Sequence, residues 1–472
     1  MGGRTEATGP SREREKLEAR IRARLEPEPE LLARLAEVRA DLVRRVVQTA
    51  VDRKLPLVRA LVAGSAARGT FLKDRLDVDL FLLFPPEISR DDLGKHGLAL
   101  AEAVLENPQR RYADHPYLRG SFHGFTIDAV PGFAVTDPSK PLSPVDRTPF
   151  HDEYLRTREN PALVGEVRLA KQFLRSLGVY GSEARTQGFS GYLVELLVLH
   201  AGGFARLLEA ARGWRIPVRV RPAAEDPPRL PEEVALILAD PVDPNRNVAS
   251  ALSRRNLALV VLAADAYLGD PSERWFRVHP VSPMSRTEAL ARMAERGTEV
   301  LVIDLPRPSL VDDTLYPQVR KAERTAAEEI GRAGFQVLGS SSAAGERSVV
   351  LVVEVASGRL PAVRVQDGPP VGLDRVGNFL GKWTSQNAPT LQGPYVDEVG
   401  RLAVEVRRPE RRILPIVREL LPRMSLGKNL TPNPTATTPV RTLADQPESP
   451  ELSTALTDLF EKHLPWRRPA SG

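Results

Sequence analysis

Apolar positions in the N-terminal third of the chain change from helical to strand-like spacing. Residues 31–46 carry apolar side chains at helical intervals, which predicts an amphipathic helix. The apolar run 57–63 predicts a buried strand that ends in a turn at Gly64-Ser65. Residues 80–84 are uniformly apolar, so the strand that contains them is expected at the centre of a sheet. A third short strand is predicted over 125–131.

The rest of the chain is mainly helical at first and mixed beyond residue 271. The apolar run 193–199 predicts a buried helix, whereas 215–229 is rich in Arg and Pro and predicts an exposed loop. Further on, 300–303 and 348–353 predict strands, with a helix over 318–333 between them.

These changes of pattern predict five segments. They are an N-terminal extension (1–30), a mixed-sheet domain (31–146), a helical domain (147–270), a mixed C-terminal domain (271–430), and a flexible linker followed by a short helix near 456–463 (431–472 together). The linker is predicted from its Pro and Thr content, which offers little apolar surface to bury.

Composition narrows the class of protein. The chain has 472 residues and 42% hydrophobic residues, enough for several domains with real cores. The formal net charge of +5 suits a polyanionic partner. No cysteine is present, which excludes disulfides, thiolate zinc sites and cysteine nucleophiles. No apolar run approaches the length of a membrane span, and the N-terminus lacks a signal peptide, so a cytoplasmic enzyme is expected.

Candidate chemistry begins at the turn after the first strand. Gly64 would let backbone N–H groups approach a triphosphate closely, while Ser65 adds a hydroxyl and Arg68 a cation. A lone Gly-Ser turn is, however, most often only a turn.

Three aspartates add a candidate metal site. Asp77 and Asp79 are two apart, which in a strand places both carboxylates on one face, where they could hold Mg²⁺. Asp128 lies in the apolar third strand, where a carboxylate is costly unless it is paired or metal-bound. Taken singly, such acids are more often solvated or ion-paired, but three carboxylates on neighbouring strands would suit two Mg²⁺ ions.

The order of these features resembles the nucleotidyltransferase superfamily that contains DNA polymerase beta and poly(A) polymerases. Further segments resemble archaeal-type (class I) CCA-adding enzymes, in order from about Leu31 to Leu430: 145–151, 168–171, 179–181, 188–193, 240–249 and 311–318.

The resemblance implies an α+β multidomain fold: a polymerase-beta-like nucleotidyltransferase head with a mixed sheet, a helical neck, a ferredoxin-like α+β body and an RNA-binding tail. It implies template-independent addition of C, C and A to the 3′ end of tRNA from CTP and ATP, with Mg²⁺ as cofactor and release of pyrophosphate. The implied partners are the tRNA 3′ end and acceptor stem, with a homodimer also envisaged and no membrane.

The resemblance also assigns residues. Asp77, Asp79 and Asp128 would be catalytic and bind Mg²⁺, and the nucleotide would contact Gly64, Ser65, Arg68, Thr148, His151, Lys171, Tyr180 and Arg246. Each of the last four has an ordinary alternative: His151 as a helix cap, Lys171 as a solvated helix residue, Tyr180 as a loop aromatic, and Arg246 as an ion-pair partner of Asp243.

Basic residues mark a candidate RNA surface. Arg320, Lys321 and Arg324 share a predicted helix, Arg407 and Arg408 follow a predicted strand, and Lys428 lies in a family-like segment. Taken alone, such residues usually form solvated faces. Beside a catalytic site that needs an RNA end, binding of RNA phosphates is the favoured interpretation.

Two other functions remain open at this point. A poly(A)-type or oligouridylating polymerase would share the acids but add one nucleotide repeatedly, and a catalytically silent protein would only bind RNA. The three intact aspartates argue against silence, and segments such as 312–318 argue against a generic polymerase.

Overall fold

The computed structural model describes residues 9–112, 116–158, 160–220, 230, 233–430 and 439–467, which form two compact units. The N-terminal unit takes in the described residues up to Pro280, with Val311–Asp313 and those from His463 onwards. The C-terminal unit comprises Val281–Leu310 and the described part of Thr314–Lys462. The five predicted domain boundaries stay a prediction.

Helices and strands are interspersed along the N-terminal unit. The helices are α1 (Gly9–Leu25), α2 (Pro29–Asp52), α3 (Ser65–Arg68), α4 (Arg90–Val104), α5 (Thr148–Arg158), α6 (Pro161–Ser176), α7 (Gly191–Ala201), α8 (Phe204–Ala211) and α9 (Arg254–Gly269). The strands are β1 (Arg59–Ala63), β2 (Asp77–Phe84), β3 (Glu106–Tyr112), β4 (Pro116–Phe122), β5 (Phe125–Phe133), β6 (Val218–Arg219) and β7 (Leu236–Ile237).

The head of this unit is a five-stranded sheet in the order β1-β2-β5-β4-β3. Strand β2 is parallel to β5, and the other neighbours are antiparallel. Residues Leu80–Phe84 are all buried, which confirms the predicted central strand. Apolar residues of α2 and α4 pack on the sheet, because their helical spacing turns one face of each helix towards it.

A helical layer completes the N-terminal unit and corrects two predictions. Helix α1 is not part of a separate N-terminal extension, because Leu17 and Ile21 are buried in the same core as α6 to α9. Three large apolar residues, Leu17, Ile21 and Leu25, in a highly charged helix were too few to predict this packing. Strand β6 replaces the start of the predicted loop 215–229, since Val218 is buried and pairs with Leu236; residues 221–229 lie outside the described part.

The predicted buried helix over 193–199 is confirmed as α7. No described helix is by itself long and apolar enough to cross a membrane. Helices α7 and α8 together have the length and composition of a membrane span, but they are bent by 92° where they meet.

The C-terminal unit contains two sheets. Its helices are α10 (Arg286–Arg296), α11 (Asp312–Arg332), α12 (Val376–Trp383), α13 (Ile413–Leu420) and α14 (Pro450–Phe460). Its strands are β8 (Glu299–Pro306), β9 (Val337–Ala344), β10 (Ser348–Val355), β11 (Val363–Pro370), β12 (Thr390–Val396), β13 (Arg401–Arg407) and β14 (Val440–Thr442).

The larger sheet, ordered β14-β8-β10-β9, is antiparallel throughout. With α11 and α13 against one face, the succession β8-α11-β9-β10-α13-β14 is the ferredoxin-like arrangement that the resemblance implied. The smaller sheet, ordered β11-β13-β12, is inserted between β10 and α13.

The predicted flexible linker in 431–472 stays a prediction, and the described residues beyond it form further elements of the fold. Residues 431–438 lie outside the described part, but β14 pairs with β8, and α14 buries Leu452, Leu456 and Leu459 against the second face of the larger sheet. The predicted helix starts earlier than expected, at Pro450, where Ser449 accepts a hydrogen bond from the Leu452 N–H.

Candidate active site

The three predicted metal ligands meet on β2 and β5. Because these strands are parallel and in register, Asp79 lies directly beside Asp128, and Asp77 lies beside Thr126. Gly64 comes so close that a Cβ atom there would stand 2.7 Å from Asp79 Oδ2, and its φ is +77°. Only glycine tolerates both conditions, so this residue brings the turn before α3 against the acid.

Negative charge is concentrated at this point. Burial and the neighbouring carboxylates of Asp128 and Asp77 raise the pKa of Asp79 to about 7, against a weaker opposing effect of Arg119 and Arg68. Such an excess of carboxylate oxygens fits a hard divalent cation.

Arg119, which sequence reasoning missed, supplies a cation to these acids. It lies on β4 opposite Asp128 and donates from Nε to Asp128 Oδ1 at 2.7 Å and from Nη2 to Asp128 Oδ2 at 2.6 Å. Its Nη2 is also 3.5 Å from Asp77 Oδ2. The hydrogen bonds to Asp128 are the main reason that the pKa of Arg119 is raised.

A signal for Arg119 was present in the sequence. His123-Gly124 is a two-residue turn between β4 and β5, with positive φ at both residues. Counting outward from such a turn pairs Arg119 with Asp128. Within the described residues, no set of three or more His, Cys, Asp or Glu side chains is already grouped as a metal centre.

The predicted triphosphate cation Arg68 lies in a buried ionic network. Its Nε donates to Glu195 Oε2 at 2.8 Å, and Nη1 contacts Asp152. The Gly64 N–H also donates to Asp152 Oδ1, at 3.2 Å. Ser65 opens α3, whose carboxyl end closes at Gly69 in the left-handed conformation. The nucleotide contacts assigned to Ser65 and Arg68 stay predictions.

Lys171 belongs to the same network rather than to a solvated face, so that alternative is wrong. Its side chain is 1% exposed, and Nζ donates to Glu195 Oε1 at 2.7 Å and to the Thr70 carbonyl at 3.0 Å. Burial acts to raise the pKa of Glu195, but the charges of Lys171 and Arg68 outweigh it and hold that pKa below its ordinary value. Glu195 was missed, although a single acid within the apolar run 193–199 signals a buried partner.

A second cluster gathers around Asp240. Its Oδ2 lies 2.8 Å from His151 Nε2 and accepts from Arg246 Nη1 at 2.7 Å, while Tyr192 Oη donates to Oδ1 at 3.1 Å. The rings of His151 and Tyr192 stack with centroids 4.0 Å apart. Burial tends to raise the pKa of Asp240, but the hydrogen bond and charge of His151 lead the effects that lower it.

This cluster corrects the alternative for Arg246. Asp243 pairs with Arg147 Nε at 2.8 Å, so the ion-pair partner of Arg246 is Asp240 instead. The Arg246 side chain is still 36% exposed, which leaves donors of its guanidinium fork facing solvent.

Thr148 and Tyr180 complete the predicted pocket residues. Thr148 begins α5, and Tyr180 forms an isolated bridge with Phe189. A Cβ atom on Gly191 would lie 3.4 Å from Tyr180 Oη and 3.8 Å from Lys171 Nζ, so these two polar groups approach the same backbone position.

The predicted RNA-binding residues belong to the C-terminal unit. Lys321, Arg324, Arg407 and Lys428 are exposed, whereas Arg320 and Arg408 are partly buried. Burial and then a neighbouring arginine lower the pKa of both partly buried residues, Arg324 for the first and Arg364 for the second. Like charges held this close favour an anion.

Comparison with known families matches three models along the chain. They are a nucleotidyltransferase domain over residues 21–151, the second domain of tRNA nucleotidyltransferase over 165–277, and the C-terminal domain of CCA-adding enzyme over 296–434.

Curated relatives match across most of the chain. A protein named CCA-adding enzyme from Haloarcula marismortui is 38% identical over 82% of this chain and 85% of its own length. Proteins of the same name from Halobacterium salinarum strain R1 and Methanosarcina acetivorans are 38% and 35% identical, over 87% and 86% of this chain and 90% and 91% of their own. A solved structure of CdnC from E. coli MS115-1 superposes with a TM-score of 0.41 at 19% identity, over 55% of this chain and 94% of that one, which carries no functional weight.

Proposed function

Because the chain belongs to the family of CCA-adding enzymes, we propose that Asp77, Asp79 and Asp128 form its nucleotidyl-transfer centre. The enzyme adds C, C and A to the 3′ end of tRNA without a template, from CTP and ATP, and releases pyrophosphate. Its substrates are thus an RNA end and nucleotides.

The observation that carries the site is the parallel register of β2 and β5. It sets Asp79 beside Asp128 with Asp77 on the same face of β2, and Gly64 brings the turn before Ser65 against Asp79. A triphosphate at that turn would therefore have its reacting phosphorus close to all three carboxylates.

Enzymes of the nucleotidyltransferase family use divalent metal ions, and Mg²⁺ is our proposal here. Asp77, Asp79 and Asp128 supply only hard oxygen donors, and burial together with the two neighbouring carboxylates raises the pKa of Asp79, so a cation at this point would be favourable. Divalent ions held there would make the attacking 3′-hydroxyl more acidic and neutralise the triphosphate and leaving pyrophosphate.

The surrounding side chains have positioning roles in this proposal. Glu195 holds Arg68 and Lys171 in fixed directions beside the turn, so that substrate binding needs little reordering of long side chains. Asp240 orients Arg246, whose free donors suit the acceptor-rich edge of cytosine.

Substrate RNA is expected along the exposed cations of the C-terminal unit, which would read the acceptor stem by its backbone. A homodimer and a cytoplasmic location remain predictions, the first testable by sedimentation of the purified protein.

One assay tests the function. Purified enzyme receives tRNA that ends at the discriminator base, with CTP, ATP and UTP supplied singly and together. We expect two C additions with CTP, a third residue only when ATP is also present, and no extended tail. A repeated tail of one nucleotide would favour a poly(A)-type or oligouridylating enzyme, and no incorporation would favour a silent RNA-binding protein.

Variants test the site in the same assay. Asp79→Ala should lower the rate roughly a thousandfold or more while tRNA binding survives, because a metal ligand is lost. Asp91→Ala, which removes an exposed acid from α4, is the matched control and should retain full activity. Near-normal turnover of Asp79→Ala would refute the assignment.

A further inference from the structure

Arg119 occupies an unusual place among the acids of the proposed centre. Its two hydrogen bonds to Asp128, at 2.7 and 2.6 Å, engage both carboxylate oxygens, and Nη2 also approaches Asp77. This paired geometry is the strongest form of arginine–carboxylate contact. The guanidinium therefore covers oxygens that a divalent ion would need.

We propose that Arg119 is a counter-cation that competes with divalent metal for Asp128 and Asp77. The competition rests on the proposed function, and under it the guanidinium has to leave Asp128 before a metal ion can bind there. Arg119 would thereby weaken the binding of free metal ions. It would favour binding of a metal ion together with a nucleotide, because the negative phosphates compensate the added positive charge.

The exchange has to occur by movement of the side chain. Arginine does not lose its proton in proteins, so Arg119 cannot be neutralised in place. Its side chain is 38% exposed, which leaves a path away from the acids into solvent. Asp128 itself is 13% exposed and fixed by β5, so it stays where a metal could meet it.

A purely structural role explains the arrangement less well. Strands β4 and β5 are already joined by a continuous antiparallel register from Leu118–Ala129 to Phe122–Phe125. The ion pair adds little to that pairing, because the backbone hydrogen bonds and the two-residue turn already set it.

The experiment measures metal binding without nucleotide or RNA, from the electron paramagnetic resonance signal of free Mn²⁺ during titration of the full-length protein. Arg119→Gln should bind Mn²⁺ about tenfold more tightly than the unchanged enzyme, as expected when one charged competitor is removed. Arg110→Gln is the control: it loses the same charge on β3, where Arg110 is 59% exposed and paired with Glu102. Its affinity should not change.

Other outcomes separate the inference from the function on which it rests. If Asp79→Ala binds Mn²⁺ as tightly as the unchanged enzyme, the metal site itself is wrong. If Asp79→Ala loses binding but Arg119→Gln matches Arg110→Gln or binds more weakly, the metal site stands and the competition is refuted.

A second variant keeps the test decisive if Arg119→Gln misfolds. Arg119→Lys keeps the charge but cannot span both oxygens of Asp128, so we expect an intermediate gain in Mn²⁺ affinity. If Arg119→Gln fails to fold, as judged by circular dichroism, this variant decides: tighter binding supports the competition, and unchanged or weaker binding overturns it.

Discussion

Replacement of Glu195 by glutamine should destabilise the protein far more than loss of an ordinary surface charge. Glu195 is fully buried and accepts hydrogen bonds from Lys171, Arg68 and Thr70, at 2.7, 2.8 and 2.8 Å. Without its charge, the ammonium of Lys171, only 1% exposed, loses its sole carboxylate contact among the described residues.

The magnitude follows from that burial. Removing one partner of a buried ion pair costs about 3–5 kcal/mol, because the remaining charge has neither water nor a counter-ion. Glutamine keeps an acceptor oxygen, so Glu195→Gln should lie near the lower value. That is a large part of the roughly 5–15 kcal/mol by which domains are stable, and it corresponds to a fall in melting temperature of about 6–12 °C.

The assay is thermal unfolding followed by circular dichroism. The matched control is Glu209→Gln, because Glu209 pairs with Arg14 at 3.1 Å but is 51% exposed, and such a pair is worth at most about 1 kcal/mol. Lys171→Met in the Glu195→Gln background should restore much of the stability, since no unpaired ammonium then remains. Equal shifts for the two glutamine variants, or no recovery in the double variant, would refute the reasoning.

Three further predictions concern nucleotide choice, RNA and pH. Arg246→Ala should weaken use of CTP and ATP and lower discrimination against UTP by ~1–3 kcal/mol, measured as misincorporation. A lower melting temperature with intact selectivity would instead leave Arg246 with only a structural role, as the ion-pair partner of Asp240. Joint replacement of Lys321 and Arg324 by glutamine should weaken tRNA binding and lower the slope of log affinity against log salt by about one per lost phosphate contact, so an unchanged slope would exclude this helix from the RNA surface. Because the folded-state pKa of Glu195 is lowered, the stability that its charge contributes is complete above its unfolded pKa of about 4.5 and is lost as pH falls through the folded value. The destabilisation by Glu195→Gln should therefore shrink in acid, and a pH-independent difference would contradict it.

Much of the fold could be predicted because its signals are local. The run 80–84 and the run 193–199 are apolar over short distances, and each forms the buried element that its pattern predicts. The acids of β2 and β5 were identified in the same way, since a carboxylate in an apolar strand is conspicuous.

The partners of those charges could not be found by the same means. Arg68 and Glu195 are far apart in sequence yet in direct contact, and a pattern of neighbouring residues contains no information on such pairs. Arg246 shows the same limit, because its nearest acids in sequence include both Asp240 and Asp243, and only folding selects the first. The packing of helix α1 was not predicted because its apolar face consists of only a few residues.

The position of β14 has a consequence for the order in which the protein is made. Strand β14 is an edge of the larger sheet and covers β8, yet the ribosome synthesises it only after the whole smaller sheet and α13. Until Val440 emerges, the nascent C-terminal unit presents the backbone of β8 as an open, apolar edge, which can pair with another chain. The N-terminal head has all five of its strands far earlier, so the temporary open edge of β8 exists only late in synthesis, in the ferredoxin-like body.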